Sequence, residues 1–288
     1  MSIIYPEQKY KVVVVTPAGR EKYLSIFKHF IYRKINEGVV DEWQLWLNTV
    51  DANDIAYLES MERENPKVKI YRLGEPITPT WETYNALQTH KFFVNTHDDD
   101  TIYIRFDDDI VWCADDAIEK ICKARIENAN AFLIVPNTIN STLMTSWHQE
   151  NGALSEEAGI VKKYTKSDPD YAYLDAFNYT DGILIDLIHS TFKKRYLEGT
   201  LSAYYLPSKI LYEFQRFSIC SIAWWGKDKL RPGYIEEPQL SYQIPEALER
   251  PNFFCGDALV VHYAYHPQRP YLTATGDIAL KWYASIVK

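Results

Sequence analysis

An open, mostly parallel α/β sheet flanked by helices, running into a C-terminal half of less regular pattern, is the fold class that this 288-residue sequence predicts. Three observations lead there. Short β-branched apolar runs alternate with stretches of helical apolar spacing over roughly the first 140 residues, the rhythm of a parallel sheet with crossover helices. With 47% apolar residues, 24% charged residues and only 11 glycines, the composition is that of a folded globular chain. No internal repeat, low-complexity tract or Gly/Ser linker divides the chain. One domain over residues 1–288 is therefore expected, with an α/β-patterned part of about 10–140 and a second half of about 141–288.

The elements follow in order. "YKVVVVTPAGR" reads as a buried strand over Val12 to Val15, ended by a Thr-Pro-Ala-Gly turn. In "EKYLSIFKHFIYRKI", Tyr23, Leu24, Phe27, Phe30 and Ile31 keep helical spacing. "EWQLWLNTV" is a second strand, "DANDIAYLESMER" a helix opened by Asp51 or Asn53, and "KVKIYRL" a third strand. A helix over about Glu82 to Phe92 and a strand over Thr101 to Phe106 come next. In "ADDAIEKICKARIENA", Asp116 precedes Glu119 at capping-box spacing. "AFLIVPN" is the fifth strand. From Thr138 to about Leu201 the pattern is polar and irregular, with "SWHQENGAL" read as a loop or lid. "PSKILYEFQRFSICSIAWWG" reads as helix or helix and strand, and "NFFCGDALVVHYAY" as β-rich.

Charge and cysteine usage exclude several classes of partner. A net charge of −8 and a pI near 5.4 give no electrostatic draw toward nucleic acid or an anionic membrane. Cys113, Cys122, Cys220 and Cys255 form no Cys-x-x-Cys pair, which predicts reduced thiols and a cytoplasmic setting. No signal segment or membrane span is read, because the longest apolar runs fall well short of the ~20 residues a spanning helix needs. The 8 Trp, 22 Tyr and 12 Phe supply flat rings that suit sugars or bases as well as an ordinary core.

Two acidic triplets stand at the two ends of one strand. Six residues at ~3.3 Å each separate Asp98-Asp99-Asp100 from Asp107-Asp108-Asp109 by roughly 20 Å, so they belong to opposite rims. Ligands of open parallel sheets gather beyond the carboxyl ends of the strands. The second triplet is thus the candidate site and the first a solvated turn. In an extended segment Asp107 and Asp109 share a side, a pairing that suits a hard divalent cation such as Mn²⁺ or Mg²⁺ with positions left for phosphate oxygens. Neither phosphate-binding glycine motif follows the first strand. A nucleotide diphosphate held through Asp107, Asp108 and a metal is the reading that remains.

Taken together, "VVVVTPAGR", "WLNT", "YIRFDDDIVW", "VPNTIN", "FSICSIAWWG" and "CGDALVVHYAYHPQR" resemble bacterial and viral glycosyltransferases of the A-type (GT-A) fold with its Asp-x-Asp motif, over about residues 11 to 275. The resemblance implies transfer of a sugar from a nucleotide diphosphate sugar, usually a uridine one, to a hydroxyl of a glycan or small-molecule acceptor. It implies that Thr16, Pro17, Ala18, Gly19 and Arg20 hold the base and ribose, with Asn48 and Thr49 at the same edge. It also implies a third metal ligand, His262, with His266 as its competitor. Glu236 and Glu237 resemble the acidic pair that supplies a catalytic base in inverting relatives, and Asp228 is the second choice. Trp147, Trp224 and Trp225 are candidates for stacking on sugar. Two other classes compete: a metal-dependent nucleotidyltransferase or phosphohydrolase, and a non-catalytic carbohydrate-binding protein.

Overall fold

The computed structural model describes residues 4–5, 8–72, 93, 95–163, 182–213, 215–230 and 237–287, with side chains from residue 10 onward. The expected helix over Glu82 to Phe92 lies outside them, as does Glu236.

The described residues form an α/β fold whose central sheet is mostly parallel and is flanked by helices. Its strands are β1 (Lys11–Ala18), β2 (Glu42–Leu47), β3 (Val68–Tyr71), β4 (Thr101–Phe106), β5 (Ile110–Cys113), β6 (Ile134–Ile139), β7 (Lys209–Leu211), β8 (Ser221–Trp225) and β9 (Asn252–His262). Their order across the sheet is β3-β2-β1-β4-β8-β6-β9-β5, with β7 on β9. Strands β3, β2, β1 and β4 are mutually parallel, and β8 inserts antiparallel between β4 and β6. β6 and β9 are parallel to each other and therefore run in the direction of β4. Chain order reverses where β1 lies beside β4, and that reversal opens a crevice beyond the strand ends. Residues of both halves of the sequence thus share one sheet.

The valine run of β1 shows why it sits in the middle. Val12 and Val14 pack in the core with Phe27 and Ile31 of α1 (Glu21–Asn36), whereas Val13 and Val15 pack with Leu143, Met144 and Trp147 on the other face. A strand covered on both faces needs no polar alternation. α2 (Ala52–Glu64) begins where Asp51 Oδ1 accepts from the amides of Asn53 at 2.8 Å and Asp54 at 3.2 Å, as its sequence predicts. α3 (Ala117–Glu127) keeps its expected span but not its capping box. Asp116 pairs instead with Lys120 at 3.0 Å, and Glu119 with Lys34 at 2.6 Å.

Several expectations for the second half change. "SWHQE" belongs to a buried helix, α4 (Thr142–Glu150), not to a lid. Two of its polar residues are bonded inward: the Ser146 hydroxyl donates to Leu143 O at 2.7 Å, and His148 Nε2 lies 2.8 Å from Asn137 Oδ1. Burial holds the His148 pKa down at about 3, so this imidazole is a neutral member of the core. Within the stretch expected to be irregular, α5 (Ile183–Leu197) is a 15-residue helix. In the segment before "WWG" the strand part of the expected mixture is present, β7 and β8, and no helix lies among its described residues. Trp224 and Trp225 are buried at 0% and 2% exposure, so they fill the core and present no face to a sugar. Two further helices, α6 (Arg269–Ala274) and α7 (Ile278–Ile286), follow β9. No helix among the described residues is long and apolar enough to cross a membrane.

Candidate active site

The C-terminal ends of β1, β2, β4 and β9 lie on one edge of the sheet, and the residues that follow them meet there. Gly19 comes first. A Cβ built on it would stand 2.5 Å from Asn48 O and 2.9 Å from Thr49 Cβ, so the turn after β1 touches the turn after β2 only because position 19 lacks a side chain. Gly19→Ala is accordingly expected to lower unfolding free energy by about 1–3 kcal/mol through overpacking, read from a urea transition. An unchanged midpoint would mean that the two turns part freely.

Part of the predicted nucleotide loop is strand. β1 continues to Ala18, and Thr16, Pro17 and Ala18 pair with Leu45, Trp46 and Leu47 of β2. Thr16 is fully buried, its hydroxyl accepting from Trp43 Nε1 at 2.9 Å. Only Gly19 and Arg20 lie in the turn, where the Pro-Ala-Gly sequence suggested a longer loop.

The acidic triplet is a tight turn between β4 and β5, closed by Ile110 N donating to Asp107 O at 3.1 Å. This removes the extended alternation that put Asp107 and Asp109 on one side. Each carboxylate instead meets a guanidinium. Asp107 Oδ1 accepts from Arg105 Nε at 2.6 Å. Asp108, 3% exposed, accepts from Gly19 N at 2.9 Å and from Arg20 Nε at 2.8 Å, and also contacts Arg20 Nη2. Asp109 Oδ2 lies 3.1 Å from Arg20 Nη2, 2.9 Å from Arg269 Nη2 and 3.4 Å from His262 Nε2. Burial alone raises the Asp109 pKa, but Arg20, His262 and Arg269 outweigh it and hold the carboxyl well below its usual range.

His262 ends β9 where the sequence placed it. Its Nδ1 donates to Asn140 O at 3.1 Å, since a carbonyl can only accept. Nε2 is thereby left facing the Asp109 carboxylate. A ring nitrogen and a carboxylate oxygen in that relation are reconciled by a cation between them, a proton or a metal ion. A buried imidazole oriented by a backbone carbonyl is also how ligating histidines are commonly held.

Asn140 organises this corner. It is fully buried in the left-handed region with φ 61°, and its Nδ2 donates to Tyr263 O and to Gln268 Oε1, each at 3.1 Å. Tyr263 N in turn donates to Asp109 O at 2.8 Å.

The donor set leaves one oxygen unengaged. Asp109 Oδ1 is buried without a hydrogen-bond partner, beside the aligned His262. The full expected set of Asp107, Asp109 and His262 is not drawn together, because Asp107 turns to Arg105. Among the described residues no three His, Cys, Asp or Glu side chains converge on one point.

The proposed bases separate. Asp228 is held by Arg250 Nη1 at 3.1 Å, beyond the far end of β8, near Asp98 on the rim opposite the triplet. Asp228 thus lies on the rim away from the triplet. Glu237 Oε1 accepts from Arg216 Nε at 3.1 Å. Arg216 precedes Cys220, whose carbonyl accepts from Asp107 N at 2.9 Å, so this chain segment leads to the triplet's edge. The first triplet is the expected exposed turn.

Sequence reasoning missed Arg105, Arg269 and Asn140. Arg105 was legible as the residue two before Asp107 on one strand. Arg269 and Asn140 reach the site only through the fold.

No protein-family model matches the sequence, and no protein of curated function does. Among solved structures, two 4-diphosphocytidyl-2C-methyl-D-erythritol synthases are similar at 13% identity and TM-score 0.32, one of them from Anaerococcus prevotii DSM 20548. The match covers 44% and 46% of this chain and spans only 59% and 56% of theirs. CMP:2-keto-3-deoxy-manno-octonic acid synthetase complexed with CTP is similar at 10% identity and TM-score 0.44, over 94% of this chain and 99% of that one. Glucosyl-3-phosphoglycerate synthase from Mycobacterium tuberculosis, in complex with Mn²⁺, uridine diphosphate and phosphoglyceric acid, is similar at 14% identity and TM-score 0.34, over 77% and 92%.

Proposed function

We propose that this chain is a glycosyltransferase that takes a sugar from a nucleotide diphosphate sugar, a uridine one, and passes it to an acceptor hydroxyl. One observation carries the reading: three segments singled out separately in the sequence, Gly19-Arg20, Asp107 to Asp109 and His262, meet at the edge where β1 and β4 adjoin. A crevice at such a reversal of strand order is where open α/β sheets bind nucleotides.

In this reading the base and ribose lie against Gly19, Arg20, Asn48 and Thr49, with the diphosphate over Asp108 and Asp109. Asp109 and His262 would hold Mn²⁺ or Mg²⁺, with Asp107, which pairs with Arg105, the neighbouring carboxylate. A divalent cation bound there offsets negative charge on the departing diphosphate. The acceptor oxygen forms a bond to the anomeric carbon, the carbon–oxygen bond to the diphosphate breaks, and the hydroxyl proton passes to Glu237. Glu237→Gln is expected to lower kcat by ~10²-fold at nearly unchanged affinity for uridine diphosphate, because a base acts on the acceptor proton in the transition state. Full turnover in the variant would remove Glu237 from that role.

The product identifies the reaction. Incubation with UDP-sugars and Mn²⁺ should release uridine diphosphate, whereas attack at the α-phosphorus would release sugar 1-phosphate, with the uridine monophosphate unit passing to an acceptor in nucleotidyl transfer or to water in phosphohydrolysis. Binding of sugar without nucleotide or metal would mark a carbohydrate-binding protein instead.

A further inference from the structure

Three carboxylates and three guanidinium groups face one another in this site, so its charge is balanced before any ligand arrives. The balance is uneven at Asp109. Both arginines that reach it use Oδ2, the same oxygen that His262 faces, while Oδ1 has no partner. A divalent cation settling on this carboxylate meets two fixed positive charges a few ångströms away.

The arginines are themselves incompletely matched. Arg269 gives Nη2 to Asp109, yet its Nε is buried with no acceptor, and the same holds for Arg20 Nη1. A buried charged donor without an acceptor is costly and calls for an anion. The rest of each side chain reaches the cleft, Arg20 being 29% and Arg269 23% exposed. Arg269 is also placed with care. It begins α6 directly after Gln268, whose Oε1 accepts from Tyr265 N at 2.9 Å and from Asn140 Nδ2 at 3.1 Å.

We propose that Arg269 is the counter-ion of Asp109 and gives its donors to the donor diphosphate when a divalent cation takes Asp109. Cation and diphosphate then enter interdependently: each removes the charge that opposes the other. The inference rests on reading this edge as a nucleoside-diphosphate site. It makes Arg269 a group with opposite effects on the two ligands, which a purely structural arginine lacks.

The test is calorimetry on the whole chain with three probes: Mn²⁺ alone, inorganic pyrophosphate with Mn²⁺, and uridine diphosphate with Mn²⁺. Arg269→Met should bind Mn²⁺ alone about tenfold or more tightly than wild type, since a like charge within ~5 Å at an effective dielectric of ~20 opposes it by at least that factor. The same variant should bind pyrophosphate and uridine diphosphate about tenfold more weakly, having lost charge-assisted hydrogen bonds. Arg269→Lys keeps the charge and should leave Mn²⁺ binding as weak as in wild type. Arg269→Gln serves as a second neutral variant, and a cooperative urea transition in each variant shows that it is folded. Unchanged or weaker Mn²⁺ binding in both neutral variants overturns the proposal, as does tighter Mn²⁺ binding in Arg269→Lys. Wild type that binds pyrophosphate but not uridine diphosphate, with the opposite shifts intact, overturns the nucleotide reading and leaves the role of Arg269 standing. Failure to bind either anion overturns both.

Discussion

Asp108→Ala is expected to lower the stability of the folded chain by about 3–5 kcal/mol, the usual cost of removing one partner from a buried ion pair. Asp108 is 3% exposed and accepts both from Arg20 and from the Gly19 amide. Truncation leaves Arg20 with Asp109 as its remaining anion and the Gly19 amide without its acceptor, penalties that solvent relieves only in part because Arg20 is 29% exposed. It also releases the turn after β1, which lies against Asn48 and Thr49. Uridine diphosphate binding should therefore fall with stability, whereas Asp108→Asn, which keeps one acceptor oxygen, should lose less of both. Chemical denaturation of the two variants checks this. A loss below ~1 kcal/mol, the scale of an exposed ion pair, would show that Asp108 anchors nothing.

Asp109→Asn should lower turnover by ~10²–10³-fold, the range seen when one preorganised charge-stabilising group is removed. The amide keeps the shape and one oxygen, so Arg269 retains an acceptor. It lacks the charge that holds a cation beside His262. Mn²⁺ should then no longer strengthen binding of uridine diphosphate. Some stability is lost as well, because Arg20 and Arg269 both face this carboxylate. Near-wild-type turnover together with an undiminished Mn²⁺ effect would exclude Asp109 as the ligand.

Most strands were legible where an apolar run carried them, although Ile110–Cys113 was not read as a strand and Ser221–Trp225 only as part of a mixture. Thr101 to Phe106 was bounded correctly, because a fully buried strand has no polar side to blur its ends. α4 escaped notice for the opposite reason: Ser146, His148 and Gln149 look like loop residues, yet all are buried and hydrogen-bonded. Of the site, the sequence shows which segments matter better than how their side chains pair. Gly19, Arg20, Asp108, Asp109 and His262 were read from strand-end positions and from family resemblance, and the fold brings them together. Arg269 escaped because an ion pair formed across 160 residues leaves no local pattern, whereas Arg105 pairs only two residues away and was legible. The tight turn after Phe106 likewise cancelled the alternation from which Asp107 and Asp109 were paired.

Titration of uridine diphosphate into the wild-type chain, once with Mn²⁺ and once with a chelator, bears most directly on the central claim. Binding that is saturable with Mn²⁺ and lost or much weakened in chelator is the predicted result. No binding in either condition, or equal binding in both, would contradict the account of a nucleoside diphosphate and a divalent cation held together at Asp109 and His262.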